Sequence, residues 1–100
     1  MEISNSKEGS KLCLALEGRL DTNTAPKLET ELQKSLEGIE ELVIDMAELD
    51  YLSSAGLRVL LGAQKTMNKQ GSMKVIHVNE TIMEIFEVTG FSGILTIEGR

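Results

Sequence analysis

Leu42-Val43-Ile44-Asp45-Met46, followed by Leu49-Asp50-Tyr51-Leu52-Ser53-Ser54-Ala55-Gly56-Leu57-Arg58-Val59-Leu60-Leu61, holds the strand and the helix that decide the architecture of this chain. From Glu41 to Met46 there are too few polar residues for a strand with one wet face, and the Leu-Val-Ile centre suits a central strand covered on both faces. Ala47 to Leu52 is expected to carry the chain over the sheet edge to the serines. From Ala55 to about Gln70, Leu57, Leu60, Leu61, Gln64 and Met67 mark an inward stripe, broadened by Ala55, Val59 and Ala63. Arg58, Lys65 and Lys69 mark the wet side, and Gly71 stops the helix.

Upstream, Ile3 opens a short strand before the polar turn Lys7-Glu8-Gly9-Ser10. Leu12, Leu14 and Leu16 then alternate with Cys13, Ala15 and Glu17, the period of a half-buried strand. The turn makes the pair a β-hairpin, and Gly18 is expected to end its second strand. Asp21-Thr22-Asn23-Thr24 offers several helix caps, Pro26 fits a first helical turn, and Ala25, Leu28, Leu32 and Leu36 follow at helical spacing up to the left-handed stop Gly38. Downstream, Met73 to Val78 reads as a strand and Asn79 as the cap of a helix burying Ile82, Met83, Ile85 and Phe86. Thr89-Gly90 closes that helix, and Ile94-Leu95-Thr96-Ile97 is the expected last strand.

The order is ββαβαβαβ: an α/β chain, a single domain over residues 1–100, with a mixed sheet covered by helices. Strands separated by single helices favour parallel neighbours joined by right-handed crossovers. In such sheets ligands and partners meet the loops at the carboxyl ends of the strands. Asp21-Thr22 and Ser53-Ser54 each follow a strand and precede a helix, so they are expected to share that rim.

Bulk properties narrow the function classes. Hydrophobic residues make up 41% of the chain, enough for a core without staples. The formal charge of −6 repels phosphate backbones and acidic membranes, and Phe86, Phe91 and Tyr51 are the only aromatics, so direct nucleic-acid binding is not expected. Cys13 is alone, with no internal disulfide and no neighbours at metal-ligand spacing. No apolar run approaches the ~18 residues of a membrane span, and Met1-Glu2-Ile3-Ser4 does not resemble a signal peptide; no membrane insertion is expected, and a reducing cytoplasm is the expected location.

The serines carry the chemistry. Capping the helix is the plain role for a serine there, but Ser53 and Ser54 together provide one more hydroxyl than a cap requires. Ala55 and Gly56 are small, which leaves the hydroxyls accessible to another protein, and Gly56 costs the helix ~1 kcal/mol relative to alanine, which suggests a close approach there. A phosphate on such a serine would sit over free helix amides and add about −1.5 to −2 charge. A hydrolytic triad can be written from Ser54, His77 and Asp45 or Asp50, but the glycine two residues before a nucleophile-elbow serine is missing, and a lone histidine in a strand is more often structural. No catalytic, cofactor or metal site is expected. Asp21 is read as a cap with added interest from its rim position, and Met67, Met73 and Met83 as core filler.

Leu16-Glu17-Gly18-Arg19-Leu20-Asp21, Ala25-Pro26-Lys27-Leu28, Leu42-Val43-Ile44-Asp45, Tyr51-Leu52-Ser53-Ser54-Ala55-Gly56-Leu57 and Val88-Thr89-Gly90-Phe91 resemble, in order and over nearly the whole chain, the STAS domain of sulfate transporters and anti-sigma factor antagonists. The resemblance implies a non-enzymatic bacterial anti-sigma factor antagonist. Unmodified, it binds an anti-sigma factor, often a serine kinase, and frees a sigma factor; phosphorylation ends binding and a phosphatase restores it. Matching the family's pattern by its glycine places the modified serine at Ser54, with Ser53 second and standing where many members have aspartate. The partner surface is then expected at Asp21, Thr22, Ser53, Ser54, Ala55, Gly56, Leu57 and Arg58. STAS-like domains also serve as accessory subunits of membrane transport complexes, which is the alternative role, with a small serine hydrolase as a remoter one.

Overall fold

The computed structural model describes residues 1–99. Along the chain it forms β1 (Glu2–Glu8), β2 (Lys11–Leu20), α1 (Ala25–Ser35), β3 (Glu41–Leu52), α2 (Ser54–Gln70), β4 (Ser72–Val78), α3 (Glu80–Thr89), a 3₁₀ turn (Phe91–Gly93) and β5 (Ile97–Gly99). The strands lie in one five-stranded sheet in sequence order. β1 and β2 are an antiparallel hairpin, with Glu8 opposite Lys11, and all other neighbours are parallel.

Strands added in one direction by right-handed crossovers put every connecting helix on the same face of the sheet. The alternation in the strands obeys this. Leu12, Leu42 and Met73 form one rank across the sheet, and Leu14, Ile44 and Val75 the next. Both ranks join a continuous core with Leu28 and Leu32 of α1, Leu57, Leu60 and Met67 of α2, and Ile82 and Phe86 of α3. A fully buried leucine or phenylalanine stabilises by roughly 1.5–3 kcal/mol, so this face supplies most of the folding energy.

The opposite face carries Cys13, Val43 and Lys74, then Ala15, Asp45 and Ile76, and among the described residues the hollow on it is lined by strand residues alone. The expected cover on both faces of β3 is therefore corrected: Val43 is only 3% exposed, but it is shielded by its neighbours on the sheet and not by a helix. Cys13 is half-buried on this open face. Burial, and then the charge of Asp45, push its thiol pKa up against the opposing pull of Lys11.

β3 is longer than its apolar centre suggests. Ala47 to Leu52 is strand, paired with β2 through two register shifts. The shifts insert one extra β3 residue between Asp45 and Glu48 and another between Leu49 and Tyr51, and such bulges bend and twist a strand. The first is held by Asp45, whose Oδ1 accepts from the Ala47 amide at 3.0 Å and lies 2.9 Å from His77 Nδ1. Gly18 does not end β2. With φ +101 it takes up the second irregularity, and the strand continues to Leu20.

His77 has φ 57, uncommon for a residue with a side chain, at the register irregularity between Val75 and Val78. This local turn lets both Ile76 and His77 stay out of the core while Val78 returns to it at 2% exposure. The last strand is also displaced from its expected place. Ile94 and Leu95 bond back to the Phe91 carbonyl, at 3.0 and 2.9 Å, so pairing with β4 begins only at Thr96, and the strand proper is Ile97–Gly99.

Candidate functional site

Two strand-to-helix corners meet at the carboxyl ends of β2 and β3. The Ser53 amide donates to the Leu20 carbonyl at 2.9 Å, tying the corners together. A groove of about 180 Å³ between them is lined by Thr22, Ala25, Pro26, Glu29, Ala55, Arg58 and Val59. The shared rim expected for Asp21-Thr22 and Ser53-Ser54 is thus present.

The corner before α1 is closed by its own polar groups. Asp21 Oδ1 accepts from the amides of Asn23 (2.9 Å) and Thr24 (3.1 Å). Thr24 Oγ1 accepts from the Asp21 amide at 2.8 Å and donates to the Arg19 carbonyl at 2.7 Å. Thr24 occupies the N-cap position, yet its side chain makes no capping bond. Asp21 therefore caps the turn ahead of the helix. Burial pushes its pKa up, but bonds from the Thr24 and Asn23 amides, the Thr24 hydroxyl and the nearby Arg19 charge outweigh this and hold the carboxyl below its usual value.

The corner before α2 divides its serines. Ser53 is the N-cap, with extended backbone (φ −98, ψ 173), and its hydroxyl accepts from the Gly56 amide at 3.3 Å. Aspartate and serine are comparable caps, so serine at this position preserves the helix start without adding a charge. Ser54 is the first residue of α2, exposed, with no side-chain hydrogen bond among the described residues. Its hydroxyl is free.

Gly56 has a different reason from the one its sequence suggested. It is buried, and a Cβ there would lie 2.7 Å from Leu20 Cγ and 2.8 Å from Leu52 Cδ1. The close approach is internal: α2 settles onto the last core residues of β2 and β3. Leu57, at 6% exposure, belongs to the same core. Gly56 and Leu57 are thus buried and shape the corner from beneath, whereas Thr22, Ser54 and Arg58 are exposed and Asp21, Ser53 and Ala55 half-buried.

Two further rim residues escaped the sequence reading. Arg19 lies 4.3 Å from the centre of the Tyr51 ring and 3.6 Å from Asp21 Oδ2. Tyr51, 39% exposed, is one of few large apolar side chains open to solvent. β2 and β3 pair Arg19 with Tyr51, one residue before the buried pair Leu20 and Leu52. The usable signal was the alternation itself, had both strands been carried through to those leucines.

The triad does not assemble around Ser54. His77 bonds Asp45, which secures the β3 bulge, and no hydrogen bond links either residue to Ser53 or Ser54 among the described residues. Among the described residues there is also no cluster of His, Cys, Asp and Glu arranged for a metal ion, and no helix long and apolar enough to cross a membrane.

The family described as "Mlab, STAS domain" matches residues 3–96. The anti-sigma-B factor antagonist of Listeria monocytogenes is 36% identical over 84 residues, covering 81% of this chain and 73% of that protein. In fold, an anti-sigma factor antagonist from Mycobacterium paratuberculosis superposes with TM-score 0.89 at 20% identity, over 99% of this chain and 86% of the other. The Bacillus cell fate determinant SpoIIAA in its phosphorylated form gives TM-score 0.77 at 14% identity, over 99% and 92% of the two chains. The family match and the sequence identity agree: this chain belongs to the STAS domain family.

Proposed function

We propose that this chain is an anti-sigma factor antagonist, a non-enzymatic binding protein of the bacterial cytoplasm that is switched by phosphorylation of Ser54. The observation that carries this is the division of the two serines. Ser53 satisfies the helix, so Ser54 stands exposed with a hydroxyl the fold does not use. Relatives named as anti-sigma factor antagonists support the partner class, and the existence of a phosphorylated form of SpoIIAA supports the switch.

In the unmodified state the rim of Asp21, Thr22, Ser53, Ser54, Ala55 and Arg58, with Arg19 and Tyr51 beside it, meets an anti-sigma factor and so frees a sigma factor. When that partner is a serine kinase, it supplies ATP and magnesium. The Ser54 Oγ–phosphorus bond forms as the bond to ADP breaks, and the hydroxyl proton passes to a base on the kinase. The phosphate adds about −1.5 to −2 charge at a surface that must otherwise desolvate against the partner, and binding is lost. A serine phosphatase returns the protein to its binding form.

Incubation with the kinase and ATP, followed by mass spectrometry, is expected to place one phosphate on Ser54 and none on Ser54→Ala. Ser54→Ala is expected to leave folding unchanged within ~0.5 kcal/mol, because an exposed hydroxyl without partners contributes little. Continued modification of Ser54→Ala would overturn the assignment. Co-purification with a permease or transport ATPase, and with no anti-sigma factor, would replace the partner class with the transport alternative.

A further inference from the structure

We propose that Arg58 is the internal receptor for a phosphate on Ser54, the two side chains forming an ion pair along the exposed face of α2 that draws Arg58 away from the groove between α1 and α2. The inference rests on Ser54 being the modified residue and adds what the protein itself does with the charge.

Ser54 and Arg58 are four residues apart in one continuous helix, Ser54–Gln70, and both are exposed. Residues at that spacing are neighbours on a helix surface, about 5–6 Å apart at Cβ, and an anion on the N-terminal side of a cation is the favourable order. Arg58 is uncommitted in the unmodified protein. Among the described residues it makes no ion pair within 4.0 Å. Across the helix pair, Glu29 of α1 lines with it both the groove at the rim and the larger one of about 350 Å³ beyond it, and Glu37 lines the larger one, yet neither forms an ion pair with it among the described residues. Farther round the rim, Asp21 is already occupied by Arg19. No acidic residue stands in the first turn of α2, so nothing on that helix competes for the guanidinium.

A phosphate dianion has three acceptor oxygens and more charge than Glu29, and the planar guanidinium can meet two of those oxygens at once. Modification therefore changes the rim twice. It places negative charge at Ser54, and it removes a free cation from the groove that Thr22, Pro26, Ala55 and Val59 line with it. A partner that uses Arg58 as an anchor loses that contact even where its own atoms do not touch the phosphate.

The test uses the full chain with phosphoserine genetically encoded at position 54, so its outcome is independent of whether any kinase uses that residue. The phosphate is titrated by ³¹P NMR at low salt. A nearby cation favours the dianion, so the phosphate midpoint, ordinarily near ~6, is expected to rise by roughly half a unit in Arg58→Ala relative to the parent. The difference should shrink in molar salt. Lys65→Ala removes another exposed cation of α2, about 16 Å from Ser54 along the helix, and it should leave the midpoint in place. Superimposable titrations of the parent and Arg58→Ala would overturn the proposal, as would an equal shift from Lys65→Ala.

Discussion

The corners that open α1 and α2 occupy the same rim and follow neighbouring parallel strands, yet they handle their polar groups in opposite ways. Before α1, the Asp21 carboxylate and Thr24 hydroxyl are consumed by the loop's own amides and carbonyls. Before α2, a single serine does the capping and the next hydroxyl is left over. The first corner is a closed wall and the second leaves a hydroxyl open to solvent. What makes the second possible is its underside, where Gly56 lets α2 sit directly on Leu20 and Leu52 and holds Ser54 at the exposed start of the helix.

That contrast can be broken most severely at Gly56. Gly56→Val places methyl groups where Leu20 and Leu52 already lie, and overpacking of this kind costs about 1–3 kcal/mol, with a β-branched residue at the upper end. Urea unfolding should show the loss, and binding to the anti-sigma partner should weaken because the corner moves. A variant as stable as the parent would show that α2 can lift without consequence. Next in size is Ser53→Ala, which removes the cap and should cost about 1 kcal/mol by the same measurement, while Ser53→Asp should restore most of it. If Ser53→Ala proved neutral, capping would not be the role of Ser53.

The smallest effect is expected at Asp21, and it should appear as pH dependence. Its folded-state pKa is lowered, so its contribution is complete above the unfolded value of about 3.9 and is lost as pH falls through the folded value. Asp21→Asn keeps an oxygen that can accept from the Asn23 and Thr24 amides but cannot titrate. The stability gap between parent and variant should therefore close on acidification below about pH 4, as read from thermal melts across that range. A gap that stays constant would mean that the Asp21 charge plays no part in the wall.

Much of the architecture could be read directly from the residues. The hairpin, the helix begun by Pro26, the Ser53-Ser54 corner, the Asn79 cap and the left-handed Gly90 are all local features, and Asn79 does accept from the Ile82 amide at 2.8 Å. Four and five residues suffice to write such signals, and the core leucines repeat at periods set by the backbone itself. The pairing of β3 with β2 was not legible in the same way, because Ala47 to Leu52 carries polar residues that look like a loop until another strand takes up its amides.

By itself, then, the sequence determined the elements, their order and the corner where the free serine stands, since propensity, capping and alternation act within a few residues along the chain. Only the tertiary structure decided what each special residue is for. It turned Gly56 from an opening toward a partner into a seat for Leu20 and Leu52, drew His77 to Asp45 at a bulge, and set Arg19 on Tyr51. These roles belong to pairs brought together from distant segments, where contact depends on register and bulges that no local pattern encodes.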